Sequence, residues 1–281
     1  MEAVHLAHAV AVHDGRIVDS AGDTGLVTFY RSSSKPLQAL PLARERPDVP
    51  EVEIAIACAS HRAEPAQLEA AGSLLGHAPA TESDLELGPQ EGRGPSLLAH
   101  NCSGKHAGFL AVCHARGWPT HGYRLAGHPL QQALHAEFAA AAEVPVAEVP
   151  SAVDGCGVLT FALTLERMAY TFSRLAELDG GSRVAAAMSA HPELIGYERG
   201  AIDTDLMRLR PGWVAKGGAE GLICAASDDG TGIALKVADG NMRALRPALA
   251  SFIGLGSGFD VVPVENSHGE VVGEIACEPG R

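Results

Sequence analysis

The sequence has no apolar run approaching the roughly 18 residues of a membrane span, and its opening, MEAVHLAHAV, holds an acid at Glu2 and no basic segment. A cytoplasmic protein with no membrane partner is expected. Positive charge is also scarce: 21 Lys and Arg stand against 34 Asp and Glu, a net charge of −13, and no basic cluster forms. That balance argues against nucleic acid as a partner, because a phosphate backbone is bound through Lys and Arg. Six cysteines (Cys58, Cys102, Cys113, Cys156, Cys224, Cys277) are spread through a 281-residue chain too long to need a disulfide framework, so reduced thiols are expected. Repeats, low-complexity tracts and strong linkers are missing too. What is present, 46% hydrophobic and 20% charged residues, is the composition of a folded globular protein. It suits an enzyme or small-ligand binder built as one domain over residues 1–281.

Alternation around Asp14-Gly15 predicts a hairpin, followed by a strand near LVTFY. Helices are expected after the serines at 32–34, from Asp48-Val49-Pro50-Glu51 through VEIAIACAS, and in PAQLEAAGSLLGH, SGKHAGFLAVCHA, HPLQQALHAEFAAAAE and TFALTLERMAYTFSRLAEL. GLICAASDD, TGIALKVADG and DVVPV read as strands, with NMRALRPALASFIGL a helix between the last two. Strands at both ends and a mainly helical part over about 35–205 predict an α+β fold whose antiparallel sheet joins the N- and C-terminal strands.

Ser32-Ser33-Ser34-Lys35 offers a nucleophile with a base three residues on, able to share a helical face. A serine at a helix start is also a common cap, the role expected of Ser33 and Ser34. For Lys35 to act it must be neutral, and at a reference pKa near 10.4 only about one lysine in 2,500 is neutral at pH 7. Burial or a nearby cation, Arg31 or another lysine, must lower it. Pro36 disfavours the helical region at Lys35 and sets the helix start beside Ser32, where free N–H groups would favour an oxyanion. Ser60 in ACASH and Lys216-Gly217-Gly218 in VAKGGAEG follow in the order of Ser-Lys acyl enzymes, although a helix end and a solvated turn explain each alone. His61 lies beside Ser60.

A second set is Cys102-x-x-Lys105-His106 with Cys156 between glycines. Cys102 and Lys105 can share a helical face, and two thiolates suit zinc. Buried cysteines acting as small hydrophobes are the plainer explanation, and lysine is an unusual ligand because its amine must first lose a proton.

Seven ordered blocks, YRSSSKPLQALPL, IACASHRAEP, NCSGKHAGFLAVC, GHPLQ, VDGCGV, AKGGAEG and GIALKVADGNMRA, resemble the Rhizobium-type, thermolabile L-asparaginases of the asparaginase II family over nearly the whole chain. The resemblance implies a fold similar to serine β-lactamases and an L-asparagine amidohydrolase releasing L-aspartate and ammonia. By position, Ser32 with Lys35 and Ser60 with Lys216 are its two Ser-Lys pairs, and Cys102, Lys105 and Cys156 its metal ligands, for zinc. Arg31, His61, His106 and Asp154 would hold the substrate or order the site, with a Gly217 or Gly218 N–H as oxyanion donor beside that of Ser32. No organic cofactor is implied, and a homodimer is. Two other readings stay open: a different Ser-Lys acyl hydrolase (amidase, peptidase or β-lactam hydrolase), and a non-enzymatic zinc-stabilised ligand binder.

Overall fold

The computed structural model describes residues 1–197, 200–256 and 258–278. The predicted first hairpin forms as β1 (Ala7–His13) and β2 (Arg16–Ala21), turning at Asp14-Gly15, both with positive φ. A short β3 (Val27–Phe29) leads to a 3₁₀ turn at Arg31–Ser34, then α1 (Lys35–Gln38) and α2 (Leu40–Glu45). Next come α3 (Glu51–Cys58), α4 (Pro65–His77), α5 (Ser103–Arg116) and α6 (Pro129–Ala142). The helix start at Asp48-Val49-Pro50-Glu51 forms without a side-chain cap, whereas Glu64 and Gln67 form a capping box on α4 and the His128 ring accepts the Leu130 N–H at the start of α6.

TFALTLERMAYTFSRLAEL is not one helix. Its first part completes β5 (Leu159–Thr164), which pairs with β4 (Ser151–Val153) on one side and β3 on the other; α7 (Leu165–Ser173) begins only after Thr164, whose hydroxyl caps it through the Arg167 N–H. The β-branched and aromatic residues Thr160, Phe161 and Thr164 fit a pleated surface, and nearly all of β5 is buried. After α8 (Gly181–Ala190), α9 (Pro192–Ile195) and α10 (Ile202–Leu209) the chain returns to strand: β6 (Val214–Gly218), β7 (Leu222–Ala226) and β8 (Gly232–Val237). Lys216-Gly217-Gly218 thus ends a buried strand rather than forming a solvated turn. The chain closes with α11 (Leu245–Phe252) and a separate hairpin of β9 (Val261–Glu265) and β10 (Val271–Ala276).

The main sheet has the order β2-β1-β8-β7-β6 and is antiparallel throughout, so the N-terminal hairpin docks on the C-terminal strands as expected. Strands β7 and β8 are buried at every position because α7 packs against them, and they read as apolar runs interrupted only by Lys236 in β8; β2, the edge, is exposed along its length. Helix α3 sits centrally among α4, α5 and α8, and Ile54, Ile56, Leu110, Val184 and Met188 join the core that also holds Val10, Ile223 and Leu235. Each such side chain contributes about 1.5–3 kcal/mol on burial. Gly104 lets α5 approach α3: a Cβ there would lie 2.3 Å from the Ile56 carbonyl oxygen. No helix among the described residues is long and apolar enough to cross a membrane.

Candidate active site

Three segments far apart in sequence meet beside the 3₁₀ turn that carries the serines. Arg31 begins it in the left-handed region (φ 48°), a conformation that costs a non-glycine residue about 1 kcal/mol or more. Three contacts hold it there: its N–H donates to Thr160 Oγ1 (3.0 Å), its carbonyl accepts from Ser34 Oγ (2.6 Å), and its Nε donates to Asp154 Oδ1 (2.6 Å). Arg31 and Asp154 therefore spend their charges on each other. Ser33 Oγ donates to the Lys216 carbonyl (2.8 Å), tying the turn to β6. Neither Ser33 nor Ser34 caps a helix. Gly218 makes the junction tight, since a Cβ there would lie 2.7 Å from Tyr30 O and 2.9 Å from Ser33 Oγ. Lys35 is helical (φ −59°, ψ −37°) despite Pro36, with its ammonium drawn into the interior.

The result is a cleft of about 670 Å³ lined by Ser32, Ser60, Lys216 and Gly217, with Asn101, Tyr197 and Asp203. Lys35 lies behind it, fully buried, its Nζ donating to Ala59 O (2.5 Å), Ser60 Oγ (3.0 Å) and Asn101 O (3.4 Å). None of these partners is a carboxylate. Burial lowers Lys35 to about 8, helped by the Lys105 and Lys216 charges and opposed by Cys102. The expected pairing is altered: the Ser-Lys hydrogen bond runs from Lys35 to Ser60, while Lys216 Nζ donates to Asp203 Oδ2 (3.3 Å) and to Gly217 O (2.7 Å). Gly217 N–H, one of the expected oxyanion donors, is also taken by Asp203 Oδ2 (3.0 Å).

Cys102, Lys105 and Cys156 do converge, next to Lys35 and just past Asn101. Lys105 Nζ lies 3.0 Å from Cys156 Sγ. A hydrogen bond from the Cys102 thiol holds Cys156 well below the usual thiol range against the cost of burial, with Lys105 and His106 adding to it. Cys102, giving that hydrogen and buried, is pushed well up. Burial alone would lower Lys105, but the two cysteines outweigh it and raise it. His106 Nδ1 lies 2.8 Å from Tyr123 OH, and its buried Nε2 has no hydrogen-bond partner among the described residues. Among the described residues no three His, Cys, Asp or Glu side chains form a metal-binding group, so the donor set is two thiols and one amine. That set, with an orphaned imidazole nitrogen beside it, fits a thiophilic cation such as zinc once the amine is deprotonated.

His61 braces the cleft instead of lining it. Its Nδ1 accepts the Ala63 N–H (3.2 Å), which leaves Nε2 to donate to Ser103 Oγ (2.8 Å), and burial lowers it to about 3, so it stays neutral. Sequence reading missed Asp203 and Thr160. An aspartate in the first turn of a helix is ordinary, and Thr160 was assigned to a helix that does not exist there.

The chain is similar to the L-asparaginase II family, whose model matches residues 1–277. No curated protein matches it. Among solved structures it is similar to Mglu, at 17% identity over 89% of this chain and 67% of that one, with a TM-score of 0.43. A second Mglu structure, in 4.3 M NaCl, gives 16%, 93%, 66% and 0.42. A β-lactamase from Mycobacterium bovis gives 15% identity over 87% of this chain and 94% of that one, with a TM-score of 0.37. The chain spans about two thirds of the length of the Mglu chains.

Proposed function

The chain belongs to the L-asparaginase II family, an asparaginase class of amidohydrolase (EC 3.5.1.1), and from that premise we propose that it hydrolyses the side-chain amide of L-asparagine through a Ser32 nucleophile with Lys35 as base. One observation carries the mechanism: a fully buried lysine, without a carboxylate partner among the described residues, reaches Ser60 Oγ at 3.0 Å in a cleft that Ser32 and Lys216 also line. At about 8, roughly a tenth of Lys35 is neutral at pH 7, against one in thousands for an ordinary lysine.

Neutral Lys35 takes the Ser32 hydroxyl proton as Oγ attacks the amide carbon. The tetrahedral intermediate then collapses: the C–N bond breaks, and a proton passed from Lys35 through Ser60 leaves on ammonia. Ser32 is left as an aspartyl ester. Water attacks that ester, Lys35 accepting its proton and Ser32 recovering one, and L-aspartate departs. The Ser32 and Gly218 N–H groups are the oxyanion donors of this scheme, each worth about 10²–10³ in rate. A base such as Lys35 contributes about 10²–10⁴.

Cys102, Lys105 and Cys156 would hold a zinc ion; when bound it supplies a fixed positive charge beside the cleft that orients the substrate. Arg31 and Asp154 order the serine turn, and through it Ser32. A homodimer belongs to the same reading. Ammonia release from asparagine by the wild type and by Ser32→Ala tests the proposal: loss of at least about 10³-fold is expected for the variant. Glutamine and a β-lactam run in parallel separate asparaginase from other Ser-Lys acyl enzymes, and no ammonia from millimolar asparagine contradicts it.

A further inference from the structure

The two lysines of the cleft are not equivalent. Lys35 meets two carbonyls and a hydroxyl, all neutral. Lys216, equally buried on β6, meets the carboxylate of Asp203 from the first turn of α10. Asp203 is itself buried, and three donors surround it: Oδ1 accepts the Thr204 N–H (2.8 Å), while Oδ2 accepts the Gly217 N–H (3.0 Å) and Lys216 Nζ (3.3 Å). A glycine at 217 leaves room for this, because a Cβ would come within 3.3 Å of Oδ2. Among the described residues, the other ionisable groups that act on or feel Lys216 include Lys35 from α1 and the Cys58 thiol from α3. Two buried ammonium groups beside one cleft repel, and among the described residues the carboxylate that meets either of them, Asp203, stands against Lys216.

We infer that Asp203 is a positioning residue of the amide hydrolysis: by pairing with Lys216 it holds that lysine as the cleft's fixed ammonium and leaves Lys35 as the base. The inference rests on the Ser-Lys reading above. Lys216 then stabilises negative charge as it develops on the substrate, and Asp203 acts through it without touching the reacting atoms.

A double-mutant cycle tests this with Asp203→Asn, Lys216→Met and the two together, assayed by ammonia release from L-asparagine beside Ser32→Ala. Asparagine keeps the size of the side chain and an acceptor for the Gly217 N–H, so a merely structural role leaves kcat near wild type. The expected result is a kcat lowered on the order of 10²-fold in Asp203→Asn with KM within about threefold, and a double variant within about threefold of Lys216→Met. Wild-type kcat in Asp203→Asn, or losses that multiply in the double variant, overturns the inference. So does a raised KM with kcat kept, which marks Asp203 as a direct contact of the substrate's ammonium. If Lys216→Met does not fold, kcat and KM of Asp203→Asn decide alone. Wild-type turnover in Ser32→Ala brings down the Ser-Lys reading itself; a silent Ser32→Ala with multiplying Asp203 losses overturns only this inference.

Discussion

In the proposed mechanism, Lys35 is the residue on which the chemistry turns. Three of the chain's four lysines, Lys35, Lys105 and Lys216, are gathered in one buried region, and each has a different set of partners. Among the described residues Lys105 faces thiols, Lys216 a carboxylate, and Lys35 neutral oxygens. Because burial lowers Lys35 to about 8 and the proposed base works in its neutral form, kcat/KM for asparagine is expected to rise with pH up to about 8 and to level above it. A pH–rate profile with a slope of about one log unit per pH unit on the acid side checks this; a flat profile from pH 6 to 9 contradicts it. Replacing Lys35 by Met costs on the order of 10²–10⁴ in kcat with the fold retained, as judged by circular dichroism. That Ser32, Lys35, Ser60 and Lys216 meet at one cleft was legible in the sequence because S-x-x-K, a second serine and a K-G-G strand occur in a recognisable order. Their pairing was not, since it depends on Asp203, which reaches β6 only through tertiary packing.

The contact between the serine turn and β6 is the element-scale determinant of the site. Ser33 Oγ bonds the Lys216 carbonyl, and Gly218 lies against Tyr30 O, so the proposed nucleophile and the second lysine are locked in register. Gly218→Ala forces those backbones apart; about 1–3 kcal/mol of destabilisation and at least a tenfold loss of kcat are expected, read by thermal melting and ammonia release. Gly104→Ala pushes α5 off the Ile56 carbonyl and carries Cys102 and Lys105 with it, so it costs a similar amount of stability and lowers metal uptake. Most elements follow from local pattern: the Asp14-Gly15 hairpin, α4 from Pro65 to His77 and the start of α6 after His128 are where the sequence pattern puts them. The run from Thr160 to Leu178 misled because an amphipathic helix, α7, follows a buried strand without a glycine or proline between them; only the partners β3 and β4 decide that its first part is strand.

At the scale of the whole molecule, the sheet closes the chain on itself. Pairing of β1 with β8 brings the N-terminal hairpin against the C-terminal strands, and β6 at the far edge delivers Lys216 to a site whose other parts come from residues 31–35, 60 and 101–106. Loss of metal from Cys102, Lys105 and Cys156 is expected to weaken substrate affinity and thermal stability together, because the cluster joins α5 to the 154–158 loop. Elemental analysis should find about one zinc per chain, and a chelator that strips it without altering either property contradicts that role. The central claim is that Ser32 becomes covalently acylated. Rapid acid quenching of the enzyme during turnover of L-asparagine, followed by peptide mapping by mass spectrometry, tests it most directly: the account predicts an aspartyl adduct on the peptide containing Ser32, and an adduct on Ser60 or a cysteine instead would contradict it.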